Sequence, residues 1–276
     1  MDGTQMEGRG AALTARYGAG AEPKAGPWND TIALLLSHRS VRGYRPDPVP
    51  DGTLETLVAA AQSAATSSNL QTWSVVAVDD PAVRKELAEV AGNQKHIEQC
   101  PLFLVFLADT SRNARLAQAE GTELAGLPFL ESFLVASIDA ALAAQNAVVA
   151  AESLGLANVY IGALRNDVTR VARLLGLPPG VAPVFGLCVG YAAEGREGEV
   201  KPRLPQAAVL HRERYDADDA GHRAAYDPRM AAFSARHEMA ADSWTKRVIA
   251  RLGTMKALHG RDRLKDALVA LGFPLR

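Results

Sequence analysis

Sulfur and aromatic side chains are scarce in this sequence, with two cysteines, five methionines and 6% aromatic residues among 276 positions. Two cysteines cannot carry a disulfide scaffold at this length. Cys100 and Cys188 both stand in apolar runs, the usual setting of a small buried hydrophobe, and a reducing, cytoplasmic location is expected. An excess of one charge is also missing. The 30 Lys and Arg against 31 Asp and Glu leave a formal net charge of -1. That argues against nucleic acid or an anionic membrane as the main partner, since both require a basic surface. It leaves room for a local basic site that grips a small phosphate. No apolar leader of the secretory kind opens the chain. The one long apolar stretch, residues 133–156, is interrupted by Asp139, Gln145, Asn146 and Glu152, too polar for a lone lipid span.

Several chemical signatures are absent as well. No G-x-G-x-x-G sits at a strand-to-helix turn, so a standard dinucleotide-binding domain is not supported. There is no G-x-S-x-G elbow and no P-loop lysine motif. The six histidines show no metal-ligand spacing, and His237-Glu238 lacks the second histidine of a zinc helix. No catalytic side chain and no metal is therefore assigned, and the chemistry falls to a bound cofactor.

About half the residues are hydrophobic, enough for a real core. Residues 1–27 are rich in Gly and Ala without a period, and a loosely ordered extension is expected there. Asn29 or Asp30 caps a short helix to Leu36, and Asp51 caps another over residues 51–65, where Leu54, Leu57, Val58 and Ala61 make one apolar face. Strands are expected over 73–78, 102–107, 158–162 and 181–190. Helices are expected after Asp80-Pro81, over 133–156, and from Asp167 to Leu175. After His211 a helical pattern runs to the end, its clearest apolar stripe being Trp244, Val248, Ile249 and Leu252. This order suits an α+β fold with helices on an open sheet.

Five clusters carry polar chemistry. His38-Arg39-Ser40-Val41-Arg42 places two guanidiniums, an imidazole and a hydroxyl in five residues, and arginine's planar fork suits phosphate. Lys201-Pro202-Arg203-Leu204-Pro205 is a second basic cluster, pre-ordered by its prolines. Thr66-Ser67-Ser68-Asn69-Leu70-Gln71 and Gln94-Lys95-His96 are runs of small donors and acceptors, and Asn158-Val159-Tyr160-Ile161-Gly162-Ala163 reads as a strand entering a Gly turn. Taken singly, each also fits a solvated turn, a capping loop or an ordinary strand end. Two basic clusters together suggest a phosphate clamp closed by distant segments.

In this order the clusters resemble the flavin site of nitroreductases. Gly92-Asn93-Gln94-Lys95-His96, Gln145-Asn146, 150–156, Leu164-Arg165-Asn166 and Phe185-Gly186-Leu187-Cys188 extend the likeness. The group resembled is the major oxygen-insensitive NADPH nitroreductases and related NADPH–flavin reductases, over about residues 30–215 and more weakly beyond. The resemblance implies a mixed, mainly antiparallel sheet flanked by helices in an intertwined homodimer. Residues 28–276 would form the FMN-binding domain, with 1–27 a flexible extension and about 207–276 a helical arm. Arg39, Ser40, Lys201 and Arg203 would hold the FMN phosphate, with His38 beside it. Arg42 would lie against the pyrimidine edge, and Gln94 would bond the same ring. Tyr160, Ile161 and Gly162 would line the isoalloxazine edge, and Thr66, Ser68 and Leu70 of the partner subunit would complete the site.

The implied activity is ping-pong: NAD(P)H reduces FMN at N5, and a nitroaromatic, quinone or flavin then takes two electrons. A flavin reductase feeding a monooxygenase is the alternative enzyme. A non-catalytic flavin-binding module is the alternative of another class. Two departures stand out. Ala163 replaces a frequent second glycine, and the tail stretch linked to the NADPH 2′-phosphate offers Arg236 with few other cations. NADPH is the expected donor, with NADH used measurably.

Overall fold

The computed structural model describes residues 3–240 and 242–276. In chain order its elements are α1 (Gly3–Tyr17), α2 (Asp30–Ser37), α3 (Thr53–Gln62), β1 (Trp73–Ala77), α4 (Pro81–Val90), α5 (His96–Gln99) and β2 (Leu102–Asp109). There follow α6 (Ser111–Ala119), α7 (Leu130–Ser153), β3 (Ala157–Ile161), α8 (Val168–Leu174), β4 (Val181–Gly190), α9 (Ala220–Arg236), α10 (Trp244–Leu252) and α11 (Leu264–Ala270). The chain divides into two compact units, one formed by residues up to Arg39 with Gly198–Leu258, the other by Ser40–Glu197 with His259–Arg276.

The second unit is built on an antiparallel sheet of order β1-β2-β4-β3. An isolated parallel bridge, Ser40 to Asn158, makes the pairing mixed. Every residue of β2 is buried, as expected of its unbroken apolar run. Its side chains alternate between two cores. Phe103, Val105 and Leu107 pack with Leu87, Ile97 and Val171 from α4, α5 and α8. Leu102, Leu104 and Phe106 pack with Leu57 and Ala61 of α3 and the alanines of α7. The sheet is thus sandwiched between helical layers. The β2–β4 register shifts between Phe106 and Leu107, where Pro183 enters opposite Leu107; proline cannot donate to the ladder, and a bulge accommodates it. Gly186 is required by packing, since a Cβ there would lie 2.7 Å from Phe103 Cζ.

Caps behave largely as the sequence suggests. Asn29 accepts from Ile32 N, Asp80 from Ala82 N and Asp167 from Arg170 N. Two boundaries and one helix differ. α3 begins after Gly52, which takes φ 79°, and not at Asp51. α7 starts at Leu130, three residues earlier than expected. Helix α6 has no counterpart in the sequence reading, because it buries only Ser111 and Ala117 and so shows no apolar stripe. The tail is not one arm. α11 packs into the second unit, with Leu268 and Phe273 against Ala182 and Leu271 O accepting from Gly180 N.

In the first unit, α9 and its surroundings enclose a small core of Tyr226, Met230 and Phe233, with Leu204, Met239 and Trp244 against it. The expected stripe on α10 is split: Trp244 packs on this core and Val248 is half-buried, while Ile249 and Leu252 are 63% and 68% exposed. The expected loose extension is corrected more deeply, since Gly3–Tyr17 forms helix α1. Its buried side includes Leu13 and a cation, Arg16, so hydrophobic periodicity cannot reveal it. α1 stops at Gly18, φ 87°, whose N–H bonds Thr14 O. Residues after it fold back, with Arg9 Nη1 donating to Gly26 O and Thr14 Oγ1 to Glu22 Oε1.

Candidate functional site

In the first unit, both basic segments meet one guanidinium. Arg16 is 6% exposed. Its Nη2 donates to Leu36 O at 2.5 Å and His38 O at 2.8 Å, and its Nη1 to Lys201 O at 2.9 Å. The carbonyl of Arg16 itself accepts from Arg203 N at 2.9 Å. From the other side, Tyr226 Oη donates to Pro202 O at 2.8 Å. Lys201 Nζ stands 5.7 Å from the Phe233 ring centroid, within cation–π range. His38, Lys201 and Arg203 are thereby anchored in one unit through their backbones, with Arg39 next to His38 in the chain. Arg39 and Arg203 are exposed and, among the described residues, pair with no carboxylate. Such guanidiniums suit an incoming anion.

Arg236 is occupied differently. Its Nη2 lies 3.0 Å from Glu199 Oε2, with His237 Nε2 at 3.5 Å from the same oxygen. The Arg236 hydrogen bond holds the Glu199 carboxyl below its ordinary range despite some opposing desolvation. A phosphate approaching Arg236 must compete with that carboxylate.

In the second unit, Val41 is buried and its N–H bonds Asn158 O at 3.0 Å, while Ser40 and Arg42 on either side are exposed. Tyr44 Oη fixes the segment by donating to Val41 O. Arg42 is near His96, whose imidazole is held below its ordinary pKa by burial first and by the Arg42 charge second. His96 Nε2 is buried with no hydrogen-bond partner within the protein. Gln94 follows a turn through Gly92 (φ 80°) and Asn93 (φ 61°) and donates through Nε2 to Ala91 O.

Tyr160 is half-buried; its Oη donates to Gln145 Oε1 at 3.3 Å, and burial pushes its phenol well above the usual range, so it remains a donor. At 1% exposure the side chain of Ile161 belongs to the core, which leaves its main chain to face a ligand. Gly162 opens a turn over Gly162–Asp167, and a Cβ there would come within 3.3 Å of Arg165 Nη2. Ala163 packs against the apolar core.

The loop after α3 is strained. Ser68, Asn69 and Gln71 all have positive φ, at 48°, 55° and 50°, which costs energy for residues with a Cβ. Asp139 of α7, buried, holds the loop: it accepts from Ser67 N at 3.1 Å, Thr72 N at 3.2 Å and Thr72 Oγ1 at 2.9 Å. Thr66 and Leu70 line a cavity of about 400 Å³ with Gln71, Trp73 and Arg112; Ser68 is exposed nearby in sequence. None of Arg42, Gln94, Tyr160 and Gly162 lines that cavity. Arg16 and Asp139 are the supporting residues that sequence reasoning did not assign. Asp139 left a signal, a carboxylate in an apolar helix, whereas Arg16 left none. Among the described residues, no three His, Cys, Asp or Glu side chains are grouped as metal ligands.

Comparison with known proteins adds to this geometry. The sequence pattern of the nitroreductase family matches residues 35–191, and that of the nitroreductase family C-terminal domain matches residues 201–276. The oxygen-insensitive NADPH nitroreductase of Salmonella typhimurium is 41% identical over 203 residues, 74% of this chain and 82% of the relative. The FMN reductase (NADPH) of Bacillus subtilis is 44% identical over 197 residues, 70% and 78% of the two chains. The solved structure of the NADPH:FMN oxidoreductase from Vibrio harveyi, complexed with NAD+, superposes with a TM-score of 0.80 at 36% identity, covering 90% of this chain and 100% of its own.

Proposed function

The chain belongs to the nitroreductase family, and from that premise we propose that it is an FMN-dependent NAD(P)H oxidoreductase acting on nitroaromatic, quinone or flavin acceptors. The observation that carries the reading is the anchoring of two basic segments, at His38-Arg39 and Lys201–Arg203, on one buried guanidinium. Exposed arginines without carboxylate partners fit a phosphate monoester, and the partnerless Nε2 of His96 beside Arg42 fits a polar heterocycle. FMN held by these residues would supply the hydride chemistry of a ping-pong cycle between reduced nicotinamide and a two-electron acceptor.

The chain's own groups bind and orient. His38, Arg39, Ser40, Lys201 and Arg203 hold the phosphate. Arg42 and Gln94 face the pyrimidine, with the Arg42 charge favouring electron density at that edge. Tyr160, the Ile161 main chain and Gly162 border the ring system. Thr66, Ser68 and Leu70 of the partner subunit complete each site, in keeping with their cavity being separate from the ring-binding residues of the same unit. A second copy of the chain covers the exposed apolar stripe of α7. The enzyme works in the cytoplasm, where both cysteines stay thiols.

NADPH is the donor named for the relatives. Engagement of Arg236 by Glu199 weakens a strict demand for the 2′-phosphate, so NADH serves as a slower donor. The test is an anaerobic absorption spectrum of purified protein before and after NADPH, then NADH. A flavin band bleached by both is expected. A band that neither bleaches would make the protein a flavin-binding module, and no band after added FMN would overturn the reading. Release of reduced flavin to a monooxygenase is the second reading, favoured by the FMN reductase relative; rapid flavin loss on reduction would select it.

A further inference from the structure

Helix α1 lies outside both family patterns, which cover residues 35–191 and 201–276, yet it supplies a guanidinium on which the two basic segments converge. We propose that Arg16 is a positioning residue for phosphate recognition, setting the spacing between His38-Arg39 and Lys201–Arg203. The inference rests on the FMN-phosphate reading above. Its guanidinium is committed to the carbonyls of Leu36, His38 and Lys201, so it acts through the chain and not by touching phosphate. Arginine suits this task because a rigid planar fork fixes the directions of its donors, where a lysine ammonium would leave the three carbonyls free to shift. The brace is reciprocal. Arg203 N donates back to Arg16 O, so the end of α1 is itself held by the segment it organises, and α9 holds it as well, Arg229 Nη1 donating to Tyr17 O. Burial at 6% exposure keeps water from replacing these bonds.

A brace of this kind has a signature that general destabilisation lacks. It matters for a ligand carrying a phosphate and not for one without it. Apoprotein is titrated with FMN and with riboflavin, the same ring system without phosphate, following quenching of flavin fluorescence. The thermal midpoint of each apoprotein is recorded alongside. Wild-type protein should prefer FMN, and Arg203→Ala should lose most of that preference; failure of either would overturn the phosphate reading itself. Arg16→Ala should weaken FMN by about tenfold or more while riboflavin affinity changes less than about twofold. Arg16→Lys, which keeps the charge without the fork, should fall between, and it decides the matter if the alanine variant does not fold. If the phosphate reading holds but Arg16→Lys and any folded Arg16→Ala keep the wild-type FMN-to-riboflavin ratio, Arg16 only packs α1 and the proposal is wrong. Parallel loss of both ligands would have the same meaning.

Discussion

At His96 an imidazole is buried beside the guanidinium of Arg42, with Nε2 lacking a partner within the protein. Burial, reinforced by Arg42, lowers its pKa in the folded chain from an unfolded value of about 6.5. Above that value the imidazole is neutral in both states and costs nothing. As pH falls from about 6.5 through the lowered folded value, the unfolded chain takes up the proton first, so stability drops and then levels. Urea unfolding of apoprotein at about pH 7.5 and 5.5 should show a loss that His96→Gln reduces. An identical loss in both proteins would mean that other groups carry the acid sensitivity. At this scale the sequence shows which residue types stand together, but not which contacts hold them. Two arginines in His38-Arg39-Ser40-Val41-Arg42 suit an anion by residue type, although the same cluster taken singly also fits a solvated turn. Arg16 was not legible, because an arginine that bonds backbone carbonyls reveals its role only when those carbonyls are brought together. Nor could Ile161 be divided into a buried side chain and a usable main chain before the register of β3 on β4 was known.

Helix α7 shows how an element can carry a loop. Its buried face is mainly alanine, with Asp139 among them, and both carboxylate oxygens are used on the strained turn between α3 and β1. Asp139→Asn keeps the shape but turns one acceptor into a donor facing N–H or O–H groups. Leaving buried donors unmatched costs about 1–3 kcal/mol, so the urea midpoint should fall. Amide exchange should quicken over 66–72 more than in β2, whose ladder does not depend on Asp139. Equal protection of the loop in both proteins would show that the positive-φ residues hold their turn without help. The elements with a single strong signal, β2 and α7, were readable from sequence, since an unbroken apolar run or a long alanine-rich face has few alternatives. α6 was not, because its surface position leaves no stripe, and α1 was not, because its buried side includes a cation.

On the scale of the whole molecule, the outer face of α7 raises the question of what covers it. Leu130, Leu134, Ile138 and Leu142 recur every four residues and are 44–54% exposed, a continuous apolar stripe opposite the face packed on the sheet. The helix is long and apolar enough to cross a membrane by length and composition. Its polar stations, however, are spent inside the protein: Asp139 on the loop, Asn146 Nδ2 on Ala60 O, and Glu152 accepting from Asn158 Nδ2. The stripe suits the proposed dimer, in which oligomeric state would be joined to flavin binding through Thr66, Ser68 and Leu70 of the partner subunit. A Leu134→Glu, Ile138→Glu double variant places two carboxylates on the stripe, where burial would be strongly unfavourable. Light scattering should report a monomer, and FMN affinity should fall by about tenfold or more with the loss of the partner's contacts. A variant that stays dimeric would place the interface elsewhere. A monomer that binds FMN as tightly as before would leave the dimer intact as an idea but show that one chain holds the flavin alone.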